Sequence, residues 1–295
     1  MATYYVWDGG SNGAGTDWTS AKTTLAGAIA LASASGDVIK VAHTHTGDNA
    51  LAVDTTWTTL NNIFIVSVDK DNADTPTPMG TAAWLGSSST SVALTVAGAY
   101  RLRIYGLTFR NGGATSKSIS IAGPSDGAVY DVNNCYLWLG TTSSAPPSII
   151  SGATAAPYNT RNSFNNCTFR FGNSAQTLLA TGIVEFNGCL ISGAGSIPST
   201  LFGDPLRGIL ATLTGCDLSA LGTGTLVGNQ LSYTNEFRFI QCKLGTNYVA
   251  RATPSSPANA SNGVTWIIDC SSGDIHGLFG YYDGQGALTS DTGVY

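Results

Sequence analysis

The chain has 295 residues, of which only 11% are charged, under half the usual share of roughly 25%, while 43% are hydrophobic and the net charge is −5. That balance excludes an intrinsically disordered chain, and 13 basic residues scattered along the length exclude a phosphate-backbone binder. No stretch approaches the roughly 18 to 20 apolar residues that span a bilayer as a helix, so neither nucleic acid nor membrane is an expected partner.

Met1-Ala2-Thr3-Tyr4-Tyr5-Val6 carries no charged region followed by an apolar core, so no secretory signal is expected. Gly9-Gly10-Ser11-Asn12-Gly13-Ala14-Gly15 lacks the Lys-Ser/Thr ending of a phosphate loop and reads as a turn. From Thr19 to Ser35 the pattern becomes helical. Thr19 or Ser20 can cap it, Leu25, Ala28, Ile29 and Ala32 share a face, and Gly36 can end it. Asp37 to Ala42 follows as a short strand. A helix here has a clear task, because the open end of a solenoid exposes an apolar cross-section.

His43-Thr44-His45, with Asp48 nearby, sets two imidazoles close together. A metal site needs three or four ligands, and the remaining histidine, His276, lies far along the chain. A turn without metal is the expected reading. The loop from Asp69 to Pro78 spaces Asp69, Asp71 and Asp74 like a calcium loop. It puts Ala73 at the fifth position, Asp74 where glycine belongs and Gly80 where glutamate is required, so a solvated loop is expected.

The rest of the chain is organised by its six cysteines. In a small secreted protein six would suggest three disulfides, but this chain is large and has no CxxC pair. Cys135, Cys167, Cys189, Cys216, Cys242 and Cys270 are spaced by 32, 22, 27, 26 and 28 residues. Three residues before them stand Val132, Phe164, Phe186, Leu213, Phe239 and Ile267. Ile104-Tyr105-Gly106-Leu107 is an earlier copy, with Leu107 in place of cysteine and 28 residues ahead of Cys135.

Immediately before these positions come Gly106, Asn134, Asn166, Gly188, Gly215, Gln241 and Asp269. Gly, Asn and Asp dominate, as a site with positive φ would require. One left-handed residue turns the chain sharply, so the register reads strand, tight corner, strand, once per coil of a three-stranded solenoid. Four residues before the cysteine position, Arg103, Asp131, Ser163, Glu185, Thr212, Arg238 and Trp266 are mostly polar and outward, while the next column is always apolar and inward. Coils about 4.8 Å apart would stack the cysteines as an inward ladder. Parallel side chains hold Cβ atoms farther apart than the ~3.8 Å a disulfide prefers, so reduced structural thiols are expected.

Tyr4-Tyr5-Val6-Trp7, the turn to Gly15-Thr16, the helix, and Gly36-Asp37-Val38-Ile39-Lys40-Val41 resemble the N-terminal cap of pectate-lyase-like right-handed β-helix proteins, a start frequent in bacteriophage virion proteins of that fold. The cap resemblance covers about the first 45 residues, and the coil register runs to about residue 272. The expected fold is all-β: a right-handed single-stranded parallel β-helix, a three-sheet solenoid with a short N-terminal capping helix. Residues 1–45 would form the cap and 46–295 the coils, as one continuous domain. Gly273 to Tyr295 is Gly-rich, with Phe279, Tyr281 and Tyr282 and without a capping helix or charged tail. Cover by another subunit or a continuing chain is expected there, continuation being favoured.

This architecture serves enzymes and inert parts alike. Glycosidases need two carboxylates about 5 to 5.5 Å apart for retention or 6.5 to 9.5 Å for inversion. Asp131 and Glu185 are the best pair, two coils apart in the outward column with backbones roughly 10 Å apart. Arg103 and Arg238 share that column, so scattered surface charge is the favoured reading and no catalytic residue is expected. Resemblance to pectate lyases implies a calcium-binding carboxylate cluster with a basic residue, and none falls on successive coils. There is no GxSxG elbow either, and no cofactor is expected.

What the resemblance implies instead is a non-enzymatic bacteriophage virion structural protein, in the first place a capsid decoration (cement) protein. It would be made in the host cytoplasm and reside in the virion, commonly as a homotrimer, with the major capsid protein as partner. Trp84, Trp138 and Trp266 would be exposed contact anchors. The alternative is a tailspike or tail-fibre-like protein that binds or cleaves host surface polysaccharide. Such proteins usually carry a particle-attachment domain ahead of the β-helix, whereas this cap begins almost at Met1.

Overall fold

The structure, a computed structural model, describes residues 1–47, 52–56, 61–87, 92–97, 100–111, 119–122, 129–139, 148–151, 161–180, 182–193, 197–203, 209–228, 235–251, 263–282 and 288–290. Short strands dominate, and they stack in three sheets to give a parallel β-helix. A long sheet holds the strands that precede each corner, among them Tyr100–Tyr105, Val129–Asn133, Arg161–Asn165, Gly182–Asn187, Ile209–Thr214, Asn235–Ile240 and Val264–Ser272. A short sheet holds Leu85–Ser87 and the strands that follow the corners, Thr108–Asn111, Tyr136–Leu139, Thr168–Phe171 and Leu190–Gly193. The third sheet runs from Ala52–Thr56 to Val249–Arg251.

Alternation explains why these segments are strands. In Arg161–Asn165 the exposed and buried residues alternate, with Asn162 and Phe164 turned inward. Register then stacks like on like. Ile104, Val132, Phe164, Phe186, Leu213, Phe239 and Ile267 are direct partners from coil to coil. All seven are buried, and burial of such side chains contributes roughly 1.5–3 kcal/mol each. Phe164 stacks on Phe186 at 5.2 Å and 11°, and Phe169 meets both edge-on at 5.5 and 5.6 Å.

The corners carry the geometry. Gly106, Asn134, Asn166, Gly188, Gly215, Gln241 and Asp269 have φ of +72°, +52°, +51°, +59°, +61°, +53° and +51°. Each left-handed residue reverses the direction of inter-coil hydrogen bonding. The corner N–H donates to the following coil, as Asn134 N to Asn165 O and Gly188 N to Thr214 O, both 2.9 Å. Two residues later the N–H donates to the preceding coil, as Thr168 N to Cys135 O and Asp217 N to Cys189 O, both 2.9 Å.

At the N-terminus the expected helix over Thr19–Ser35 shrinks to a single turn, Leu25–Ile29, capped by Thr24 through its hydroxyl at 3.1 Å from Gly27 N. The earlier residues are engaged elsewhere: Lys22 exchanges hydrogen bonds with Tyr5 and Trp7 at 2.8 and 2.9 Å, and Gly15 O accepts from Tyr5 N at 2.8 Å. A segment held as a strand partner cannot also close i→i−4 bonds. Leu25, Ala28 and Ile29 still enter the core, but as one turn rather than a distinct capping helix. The Gly36-Asp37 pair has a structural task, since the buried Asp37 carboxylate accepts from Ala2 N at 2.7 Å and Ala34 N at 3.0 Å. This ties Thr3–Val6 beside Val38–Ala42 in parallel register.

At the other end the parallel stack changes character. Val264–Ser272 turns at Gly273 into Ile275–Tyr282, which pairs antiparallel, and Leu288–Ser290 adds to it antiparallel again. The coil segment expected over 46–295 therefore closes with a hairpin extension of the long sheet.

Two predictions follow from corners and cap. At Gly106 a Cβ would lie 3.0 Å from Pro78 Cα in addition to the left-handed φ, whereas at Gly215 nothing lies within 4 Å. Gly215→Ala is expected to cost about 1 kcal/mol and Gly106→Ala about 2 kcal/mol or more by urea denaturation. Equal losses would contradict the steric argument.

The second concerns His45, which is fully buried, with neither ring nitrogen hydrogen-bonded among the described residues. Burial lowers its pKa below the ordinary 6.5, with Asp8 opposing. The unfolded chain then binds the proton more readily, so this contribution is intact above 6.5 and declines as pH falls from 6.5 toward the lowered folded value. Thermal melts between about pH 7.5 and about pH 5 should show a fall in Tm that His45→Leu reduces. Identical pH profiles for the two proteins would refute it.

Candidate functional site

The six cysteines are free and buried, stacked just inside the corners. Each thiol from Cys167 onward donates to the carbonyl three residues before the cysteine of the preceding coil. Cys167 reaches Val132 O at 3.5 Å, Cys189 Phe164 O at 3.3 Å, and Cys216 Phe186 O at 3.4 Å. Cys242 and Cys270 repeat this on Leu213 O and Phe239 O at 3.4 and 3.3 Å. Sulfur also accepts, from Cys242 N to Cys270 Sγ at 3.4 Å. Cysteine suits the site because it fills space like a small hydrophobe while serving as a weak donor and acceptor. Hydrogen bonding to the thiol of the preceding coil, reinforced by burial, pushes Cys189, Cys216 and Cys242 up to about 12, and moves Cys167 and Cys270 in the same direction. Such thiols hold the fold and are poor nucleophiles.

Outside the same corner runs a second ladder that the sequence reading did not separate out. Asn165 Nδ2 donates to Asn133 Oδ1 at 3.0 Å and Asn187 Nδ2 to Asn165 Oδ1 at 2.8 Å. Below them Asn133 Nδ2 approaches Ile104 O at 3.5 Å. Its mark in the sequence is an asparagine two residues before three successive cysteines, Asn133, Asn165 and Asn187.

Asp131 and Glu185 stand in one outward column of the long sheet, with Ser163 between them. Asp131 is bound by Arg101 at 2.6 Å, with Arg103 at 3.7 Å, and Glu185 takes Arg161 Nη2 on both oxygens at 2.8 and 2.9 Å. The Glu185 contact in turn raises the Arg161 pKa. Glu236 and Arg238 make a further pair at 2.8 Å. Each carboxylate is thus committed to a guanidinium of its own or the neighbouring coil. A shallow apolar depression of about 370 Å³ lies on this sheet near its start, lined by Val38, Phe64, Val66, Tyr105 and Arg103.

The acidic loop does not converge on one point. Asp69 and Asp71 face Asp71 N and Lys70, while Asp74 accepts from Trp18 Nε1 and Lys40 Nζ, both at 2.8 Å, and so pins the loop to the cap. His43 sits 3.8 Å from Asp69 at a turn, His45 is buried, and His276 lies exposed in the terminal hairpin. Asp48 lies outside the described residues. Among the described residues no three His, Cys, Asp or Glu side chains are grouped to hold a metal ion.

The tryptophans expected as exposed anchors divide. Trp266 is 37% exposed and packs against Tyr281, ring centroids 4.5 Å apart and planes tilted by 49°. Trp138 is partly buried on the short sheet, between Arg110 at 4.2 Å and Arg170 at 4.3 Å, with Trp84 5.5 Å from Arg110. Register explains the clamp, since Trp138 is the direct partner of both arginines.

Ellman's reagent is expected to find essentially no reactive thiol in the native protein and all six after denaturation. Rapid native labelling of any one would contradict the ladder.

No protein-family model, no curated protein and no solved structure matches this chain.

Proposed function

We propose that the protein is a non-enzymatic structural component of a bacteriophage virion, a capsid decoration (cement) protein. The observation that carries this reading is the charge arrangement of the long sheet. Asp131, Glu185 and Glu236 are each held by a guanidinium of the same or an adjacent coil, Arg101 with Asp131, Arg161 with Glu185 and Arg238 with Glu236. A catalytic pair needs carboxylates whose oxygens face a common substrate. Here the same groups lace successive coils together, each exposed pair adding some 0.2–1 kcal/mol.

The virion assignment rests on the resemblance of the N-terminal segment, and the rigid stack supports a part that binds through its shape. A homotrimer contacting the major capsid protein belongs to the same proposal. The test is to locate the chain by cryo-microscopy in purified particles of the phage that encodes it. Regular copies across the capsid lattice are expected. Copies confined to the tail, or none on the particle, would overturn it.

A further inference from the structure

Asp37 is the one buried carboxylate among the described residues, 1% exposed, and no lysine, arginine or histidine pairs with it there. The paired acids differ. Asp74 and Asp131, with side chains 20% exposed, hold Lys40 and Arg101 at 2.8 and 2.6 Å. A buried charge is costly unless it is both hydrogen-bonded and paired. Asp37 has the hydrogen bonds, from Ala34 N to Oδ2 at 3.0 Å and from Ala2 N to Oδ1 at 2.7 Å. It lacks the opposite charge.

The Ala2 nitrogen stands where that charge is needed. Its 2.7 Å contact already has the length of a bond between an ammonium and a carboxylate. Met1, attached to this nitrogen, is 93% exposed, and no hydrogen bond holds it among the described residues. Ala2 is fixed from its other side, its carbonyl accepting from Val38 N at 2.9 Å, and Thr3–Val6 continues as a strand in register with Val38 to Val41. The fold therefore engages the chain from Ala2 onward.

We propose that the Met1–Ala2 peptide bond is a processing site, and that the α-ammonium released at Ala2 is the missing counter-ion of Asp37. A peptidase of the producing cell would hydrolyse the bond. The C–N bond breaks, water gives its hydroxyl to the Met1 carbonyl carbon and its hydrogen to the Ala2 nitrogen, and a proton passes from the new carboxyl to the new amine through solvent. Met1 leaves as a carboxylate, together with anything ahead of it. An α-amino group is mostly protonated at neutral pH, and one of its three N–H bonds simply continues the existing contact. Processing would thus fasten the outermost strand of the long sheet to the turn at Ala34 and Asp37, where Asp37 N also donates to Ala34 O at 3.1 Å. The contact is the same whether or not the protein sits on a particle.

The test uses the full chain, released from cleavable fusions so that it begins at Met1, at Ala2, or at Ala2 carrying an N-acetyl group. The acetyl group keeps the N–H and removes the charge. The free Ala2 chain is expected to have a folding equilibrium constant about fivefold or more above the other two by urea denaturation, with slower amide hydrogen exchange over Thr3–Val6. With Asp37→Asn the three chains should become equal. Should that variant fail to fold, the comparison of free with acetylated Ala2 carries the test by itself. The untagged chain made in a bacterial cytoplasm should have an intact mass short of Met1. Equal stability and exchange of the free and acetylated Ala2 chains, an advantage that survives Asp37→Asn, or retention of Met1 in the untagged protein would each overturn the proposal.

Discussion

A reversal in hydrogen-bond direction, made once per coil by a single left-handed residue, is the constraint from which the rest of this molecule descends. The corner N–H donates to the following coil and the N–H two residues later to the preceding one, a shift in the usual alternation along a parallel strand. Because the turn takes one residue, the flanking strands keep fixed phase from coil to coil. The apolar column from Ile104 to Ile267 can therefore stack in register, and the thiols can sit at the same height inside every corner. A longer connection would let adjacent coils slip, and a slip of one residue would turn every inward phenylalanine outward.

The corners were legible in the sequence because several chemical demands coincide there. Positive φ selects Gly, Asn or Asp, the inward wall demands Phe, Leu, Ile or Val, and the buried niche favours Cys; together they leave a short motif that survives loops of varied length. Gln241, with φ +53°, is the instructive exception, since its register neighbours identify it better than its residue type does. The N-terminal helix was over-read for the opposite reason. Leu25, Ala28 and Ile29 keep helical spacing, but nothing local announces that Lys22 bonds instead to Tyr5 and Trp7, which is a tertiary contact. The Arg110–Trp138–Arg170 column was invisible for a related reason: its members are 28 and 32 residues apart, and only the register brings them together.

The outward faces show two ways of handling charge on one scaffold. On the long sheet Arg101, Arg161 and Arg238 neutralise acids on the same or an adjacent coil, giving a surface that is polar but internally satisfied. On the short sheet Arg110 and Arg170 lie over Trp138, and Arg170 also donates to Tyr136 Oη. Both arrangements depend on the coil spacing, which sets side chains of neighbouring coils within contact distance whatever the intervening loop does. A solenoid can therefore carry a different side-chain chemistry on each outer face without altering its core.

The contacts around Thr3–Val6 bear on assembly. A parallel stack is a template: any bare outer strand offers donors and acceptors in the pattern that the next strand, from the same chain or another, would need. On this strand, Tyr5 is met by Gly15 and Lys22, and Trp7 by Lys22. The chain's own backbone thus occupies the outer edge of this strand, and a further strand could pair there at Tyr5 and Trp7 only by displacing it.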